Sequence, residues 1–112
     1  MMKSDILQNL FDARSALSDM IINNTPTTDD QKNNFQLLMK RHDTITGQIN
    51  QIVANKFNET IGQLPDKVSL LEKLTDQLND LNKKMDKIDD AIKIADQIIG
   101  LTTSIIAIAV TF

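Results

Sequence analysis

The chain is expected to be all-α, an antiparallel helical bundle with long coiled-coil-like helices, and three observations point there. Apolar residues recur three and four positions apart along almost the whole length. Hydrophobic residues make up 41% of the 112 residues, yet aromatics only 4%, so Leu, Ile, Met and Ala fill the apolar positions, as helix seams require. Three glycines and two prolines leave few places to turn, whereas an all-β domain needs many. The expected organisation is one helical domain over residues 1–112. Its helices are expected near 4–23, 28–62 and 66–111, with room for a short fourth helix after Gly100.

The first helix is assigned a start at Ser4, a capping hydroxyl, followed by Asp5 at the positive end of the helix dipole. Ile6, Leu10, Ala13, Leu17 and Met20 with Ile21 form its apolar face, widened by Leu7 and Phe11. Asn23, Asn24 and Thr25 before Pro26 end it, because Asn tolerates left-handed geometry and a residue preceding proline is pushed out of the helical region. Thr28-Asp29-Asp30-Gln31 then reads as a capping box. The seam of the second helix runs Phe35, Leu38, His42, Ile45, Ile49, Ile52, with Val53, Phe57 and Ile61 on a neighbouring stripe. Gly62 suits a C-cap and Pro65 the first turn of the third helix. So short a link predicts that the second and third helices are antiparallel neighbours.

In the third helix, capped by Asp66 or by Ser69 with Glu72, the seam reads Leu71, Leu74, Leu78, Leu81, Met85, Ile88, Ile92, Ala95, Ile99. This is an a/d alternation sustained over about four heptads. Asp80 with Lys84 and Asp89 with Lys93 are spaced for support along the helix. Beyond Ala91, Ile94, Ile98, Leu101 and Ile105 add apolar residues off the seam, and the pattern approaches all-round hydrophobicity. A continuous third helix would be about 68 Å long against roughly 50 Å for the second. The segment 98–112 would then overshoot the bundle. An exposed apolar projection must be folded back at Gly100, buried in an oligomer, or placed against a membrane. About 15 apolar residues reach roughly 22 Å, short of a bilayer's hydrocarbon core.

The chemistry-bearing residues are few. With no cysteine there is neither a disulfide nor a thiolate metal site. His42 is the sole histidine, and its seam position reads as a polar, register-setting residue, with Asp43 directed off the seam. Asp86, Asp89, Asp90 and Asp96 are interleaved with Lys83, Lys84, Lys87 and Lys93, which reads as a solvated charged face rather than a cation site. A net charge of −3 and sparse basic residues argue against nucleic acid as a partner. No phosphate loop, nucleophile elbow or metalloprotease motif occurs, so no enzyme activity and no cofactor is expected.

The expected function is a non-enzymatic association module, forming a homo-oligomer or binding a partner helix. The residues nominated for contact are Ile88, Ile92, Ala95, Ile99, Leu101, Ile105, Ile106 and Ile108. Two alternatives stand beside it. One is a membrane-active protein inserting residues 98–112; the other is an immunity- or chaperone-type regulator that sequesters a partner's amphipathic helix. The N-terminus has no Sec-type apolar segment, which predicts a cytoplasmic chain, or one exported by another route, with peripheral membrane contact through the tail.

Overall fold

The computed structural model describes residues 2–55, 65–81 and 85–110. They form α1 (Met2–Asn23), α2 (Asp29–Asn55), α3 (Pro65–Asp80), a 3-10 turn at Met85–Lys87, and α4 (Ile88–Val110). No strand occurs among the described residues. The four helices pack around one core, in which Ile6, Leu10, Leu17, Leu38, Ile45, Ile52, Leu71, Leu78, Ile88 and Ile98 are large side chains with essentially no exposure.

Local chemistry sets several boundaries. At the start of α2 the Gln31 amide donates to Thr28 Oγ1 at 3.1 Å, and the Thr28 amide donates back to Gln31 Oε1 at 3.2 Å. The Thr27 amide reaches the same Oε1 at 2.9 Å, so the expected capping box forms and gains a third donor. At the end of α1, Asn24 Nδ2 donates to the Met20 carbonyl at 2.8 Å, satisfying an acceptor that the helix leaves open. Pro65 opens α3, where its missing N–H has no helical partner to lose. Ser4 is not a cap, because α1 already begins at Met2. Neither is Ser69, which sits a turn inside α3. The continuation of the second helix to residue 62, with Phe57, Ile61 and Gly62, lies outside the described residues.

The largest departure from the sequence-based expectation is the third helix. It is two helices, α3 and α4, separated at residues 81–87. The Leu81 amide turns to the Leu78 carbonyl at 3.3 Å, a tightened last turn. Asn79 and Asp80 stand at the end of α3. Short polar residues of this kind have low helix propensity because they favour competing bonds to the backbone. Gly100, where the sequence left room for a break, lies inside an uninterrupted α4. The molecule is 47 Å along its longest axis, so no helix overshoots it in the way a continuous 66–111 helix would.

The break also resets the topology. The main packing pairs are α1 with α2, α1 with α3, α2 with α4 and α3 with α4. α2 and α3, expected as neighbours, instead occupy opposite corners of the bundle. Short links make α1 and α2, and likewise α3 and α4, antiparallel. Asn34, Arg41 and Gln48 of α2 bond Asp89, Asp96 and Thr103 of α4 at a constant separation of 55 residues, so α2 and α4 run parallel. α4 thus packs against both α2 and α3, and one narrow seam could not cover both. Ile98 and Ile105 are buried, while Ile94 and Leu101 are half-buried and packed on the core. What reads as all-round hydrophobicity is a wide face bounded by the exposed Asp90, Lys93, Asp96, Gln97 and Gly100.

Candidate association surface

Of the residues nominated for contact, Ile88, Ile92, Ala95, Ile105 and Ile106 are buried in the chain's own bundle. Ile99 and Leu101 are half-buried against the same core. The Ile108 side chain lies outside the described residues. The α4 seam is therefore occupied by α2 and α3 in the folded chain, and any partner using it must first displace them.

Among the described residues, the exposed large hydrophobics are Phe11, Ile22, Leu37, Met39, Val53 and Leu70, on α1, α2 and α3. Four of the six line the outer face of the α1–α2 pair. Arg14 locates that face: its Nη1 donates to Thr46 Oγ1 across the helices at 3.4 Å, and its guanidinium lies 5.2 Å from the centroid of the Phe11 ring. On antiparallel helices rising 1.5 Å per residue, Phe11 and Val53 fall to one side of this bridge and Ile22 and Met39 to the other. The result is two apolar spots roughly 15–20 Å apart along one face. Ile22 is 77% exposed and Val53 52%. Periodicity alone puts Phe11 on a widened core face and Val53 on a stripe continuing inward. The helical period itself sets Ile22 opposite the apolar face of α1, and only the fold shows which neighbours lie beside it.

The polar contacts between α2 and α4 form a ladder at heptad spacing. Asn34 Nδ2 donates to Asp89 Oδ1 at 3.0 Å, Arg41 Nε pairs with Asp96, and Gln48 Nε2 donates to Thr103 Oγ1 at 2.9 Å and to the Ile99 carbonyl at 3.1 Å. Asp89, expected to support Lys93 along its own helix, is turned to Asn34 instead. Exposed rungs of this kind add little stability, but they hold a parallel pair in one register.

Two buried polar atoms in this region have no partner, Gln48 Oε1 and Thr102 Oγ1. Thr44, Thr46, Thr75 and Thr103 each donate the hydroxyl to the carbonyl one turn back, which is how helical threonines are normally satisfied. Thr102 is fully buried and does not. Thr102→Val keeps the shape and removes the unpaired hydroxyl, so it is expected to stabilise the fold by about 1 kcal/mol. A urea titration of the two proteins checks this, with a higher midpoint and an unchanged slope expected for the variant.

His42 is half-buried at the seam's edge, with Nδ1 3.3 Å from Asp43 Oδ1. Asp43, read as directed off the seam, is thus the partner the ring turns to, outward rather than into the core. Gln8, Asn9, Asp12, Glu72 and Asp76 line an open cleft between α1 and α3. Among the described residues no group of three or more His, Cys, Asp or Glu side chains is placed to hold a metal ion. No helix among them is long and apolar enough to cross a membrane. No family model, curated protein or solved structure matches the chain.

Proposed function

We propose that the chain is a non-enzymatic helical association module that pairs with a second copy of itself through the outer face of α1 and α2. The observation that carries this reading is the pair of exposed apolar spots, Phe11 with Val53 and Ile22 with Met39, at the two ends of that face. In a twofold contact the same patch meets itself, residue i touching j and j touching i. Two copies docked about an axis midway between the spots set each copy's Phe11–Val53 end on the other's Ile22–Met39 end. The face is self-complementary in that sense, and the Arg14 bridge lies between the two spots.

Light scattering coupled to size exclusion over a dilution series tests the proposal. The wild-type chain is expected to be a dimer that dissociates on dilution. Ile22→Asp and Val53→Asp each put a charge into the contact and are expected to raise the dissociation constant roughly tenfold or more. Both sites are exposed in the monomer, so its stability should be unchanged. A wild-type chain that stays monomeric at every concentration overturns the reading.

A second reading keeps the contact on α4. Ile88, Ile92, Ala95, Ile99, Leu101, Ile105, Ile106 and Ile108 would engage a partner's helix, a second copy or a lipid surface once α4 leaves the bundle. What favours it is the breadth of apolar surface on α4, which faces two neighbouring helices at once. Here Ile22→Asp leaves association intact, and binding to a peptide of α4's own sequence or to liposomes separates a protein partner from lipid.

A further inference from the structure

We infer that the C-terminal half of α4, residues 101–107, opens from the bundle as a unit about Gly100, ahead of global unfolding. Gly47 and Gly100 are both interior to helices and exposed. A Cβ built on either meets nothing within 4 Å, so neither glycine is there for close packing. Each lowers the local helix-forming equilibrium roughly fivefold relative to alanine.

The two glycines lie at one level of the bundle. Gln48, next to Gly47, reaches Ile99 and Thr103, which flank Gly100. The same layer holds the two buried side-chain polar atoms that lack a partner among the described residues, Gln48 Oε1 and Thr102 Oγ1. It also burdens one carbonyl. Ile99 O, whose place in the helix makes it the acceptor for the Thr103 amide, receives the Thr103 hydroxyl at 2.8 Å and Gln48 Nε2 at 3.1 Å as well. Side chains that compete at an i−4 carbonyl bend and loosen the helix there. Two of the three rungs tying α4 to α2, at Asp89 and Asp96, lie N-terminal to Gly100 and hold that half in place. Low glycine propensity, unsatisfied burial and an overloaded carbonyl coincide in one layer, and the helix gives way there first.

This opening goes beyond the α1–α2 contact and stands without it. It exposes Leu101, Ile105 and Ile106, and it is the step by which the α4 face becomes available to a partner.

Hydrogen exchange read amide by amide on the full chain, at a concentration where scattering finds monomer, tests the inference. The amides of 101–107 are expected to exchange at least about tenfold faster than those of 91–98, with a step at Gly100 and a smaller denaturant dependence. Ile88→Val, in the held half, should speed 91–98 about fivefold through global unfolding and leave 101–107 unchanged. Gly100→Ala should slow 101–107 about fivefold. A smooth gradient from the C-terminus without a step is end fraying and overturns the inference. So does acceleration of both halves together by Ile88→Val, or no response of 101–107 to Gly100→Ala.

Discussion

Ile98→Ala is expected to lower the stability of the chain by about 3 kcal/mol, and the difference from wild type should be the same at every protein concentration. Ile98 is off the a/d seam, on the side of α4 that turns toward α3, and it has no exposure. Truncating it removes transfer energy and leaves a cavity among rigid neighbours that collapse only partly. Denaturant unfolding at two protein concentrations differing by about a hundredfold reads the result, since any subunit term scales with concentration. A loss that grows with dilution would place Ile98 in an interface between chains instead of in the core of one.

A chain ending at Gly100 is expected to keep a cooperative fold but to lose much of its stability. The missing segment carries Thr102 and Ile105 with no exposure, Ile106 buried, and Leu101 packed on the core. Each large apolar side chain is worth roughly 1.5–3 kcal/mol on burial, and three of them approach the 5–15 kcal/mol that holds a domain together. Deletion also uncovers the surfaces of α2 and α3 that α4 had covered. Circular dichroism of the truncated chain should show a cooperative thermal transition at a much lower temperature than that of the full chain. An unchanged midpoint would mark 101–112 as dispensable to the bundle, and the absence of any transition would tie the opening of the segment to global unfolding.

The two results bear on how α4 is used. If Ile98→Ala acts within one chain and the truncation removes much of the stability, the apolar tail is first a structural element. A binding role then requires the opening at Gly100, not a permanently exposed strip.

Much of the fold was legible because its signals are local. The Thr28–Gln31 box involves residues three apart, and its hydrogen bonds form as the spacing implies. The apolar faces Ile6–Leu10–Leu17 and Leu38–Ile45–Ile52 needed only the helical period, and all six side chains are buried. The break at 81–87 was missed because Leu78, Leu81, Met85 and Ile88 keep the a/d rhythm across it. A chain that folds back to bury α4 on α3 needs the same apolar residues as one that runs on. The cluster Asn79, Asp80, Asn82 carried the contrary signal.

The candidate surface was less legible, since exposure belongs to an assembly of helices and not to a residue. Phe11 reads as widening the apolar face of α1, yet it is one of the exposed large hydrophobics, lying beside Arg14. The α2–α4 ladder was invisible for a similar reason, as its partners stand 55 residues apart and no local period links Asn34 to Asp89 or Gln48 to Thr103.

By itself the sequence determined that the chain is helical, where α1 ends and α2 begins, and which face of each helix is apolar. These properties come from backbone propensity, capping and a 3.6-residue period, all acting within a few residues. Only the tertiary structure decided that α3 and α4 are separate, that α2 lies beside α4 and diagonal to α3, and that Ile88, Ile92, Ala95, Ile105 and Ile106 are buried in the chain's own core. Those outcomes turn on which apolar faces find each other, a competition between long-range contacts that local patterning leaves open.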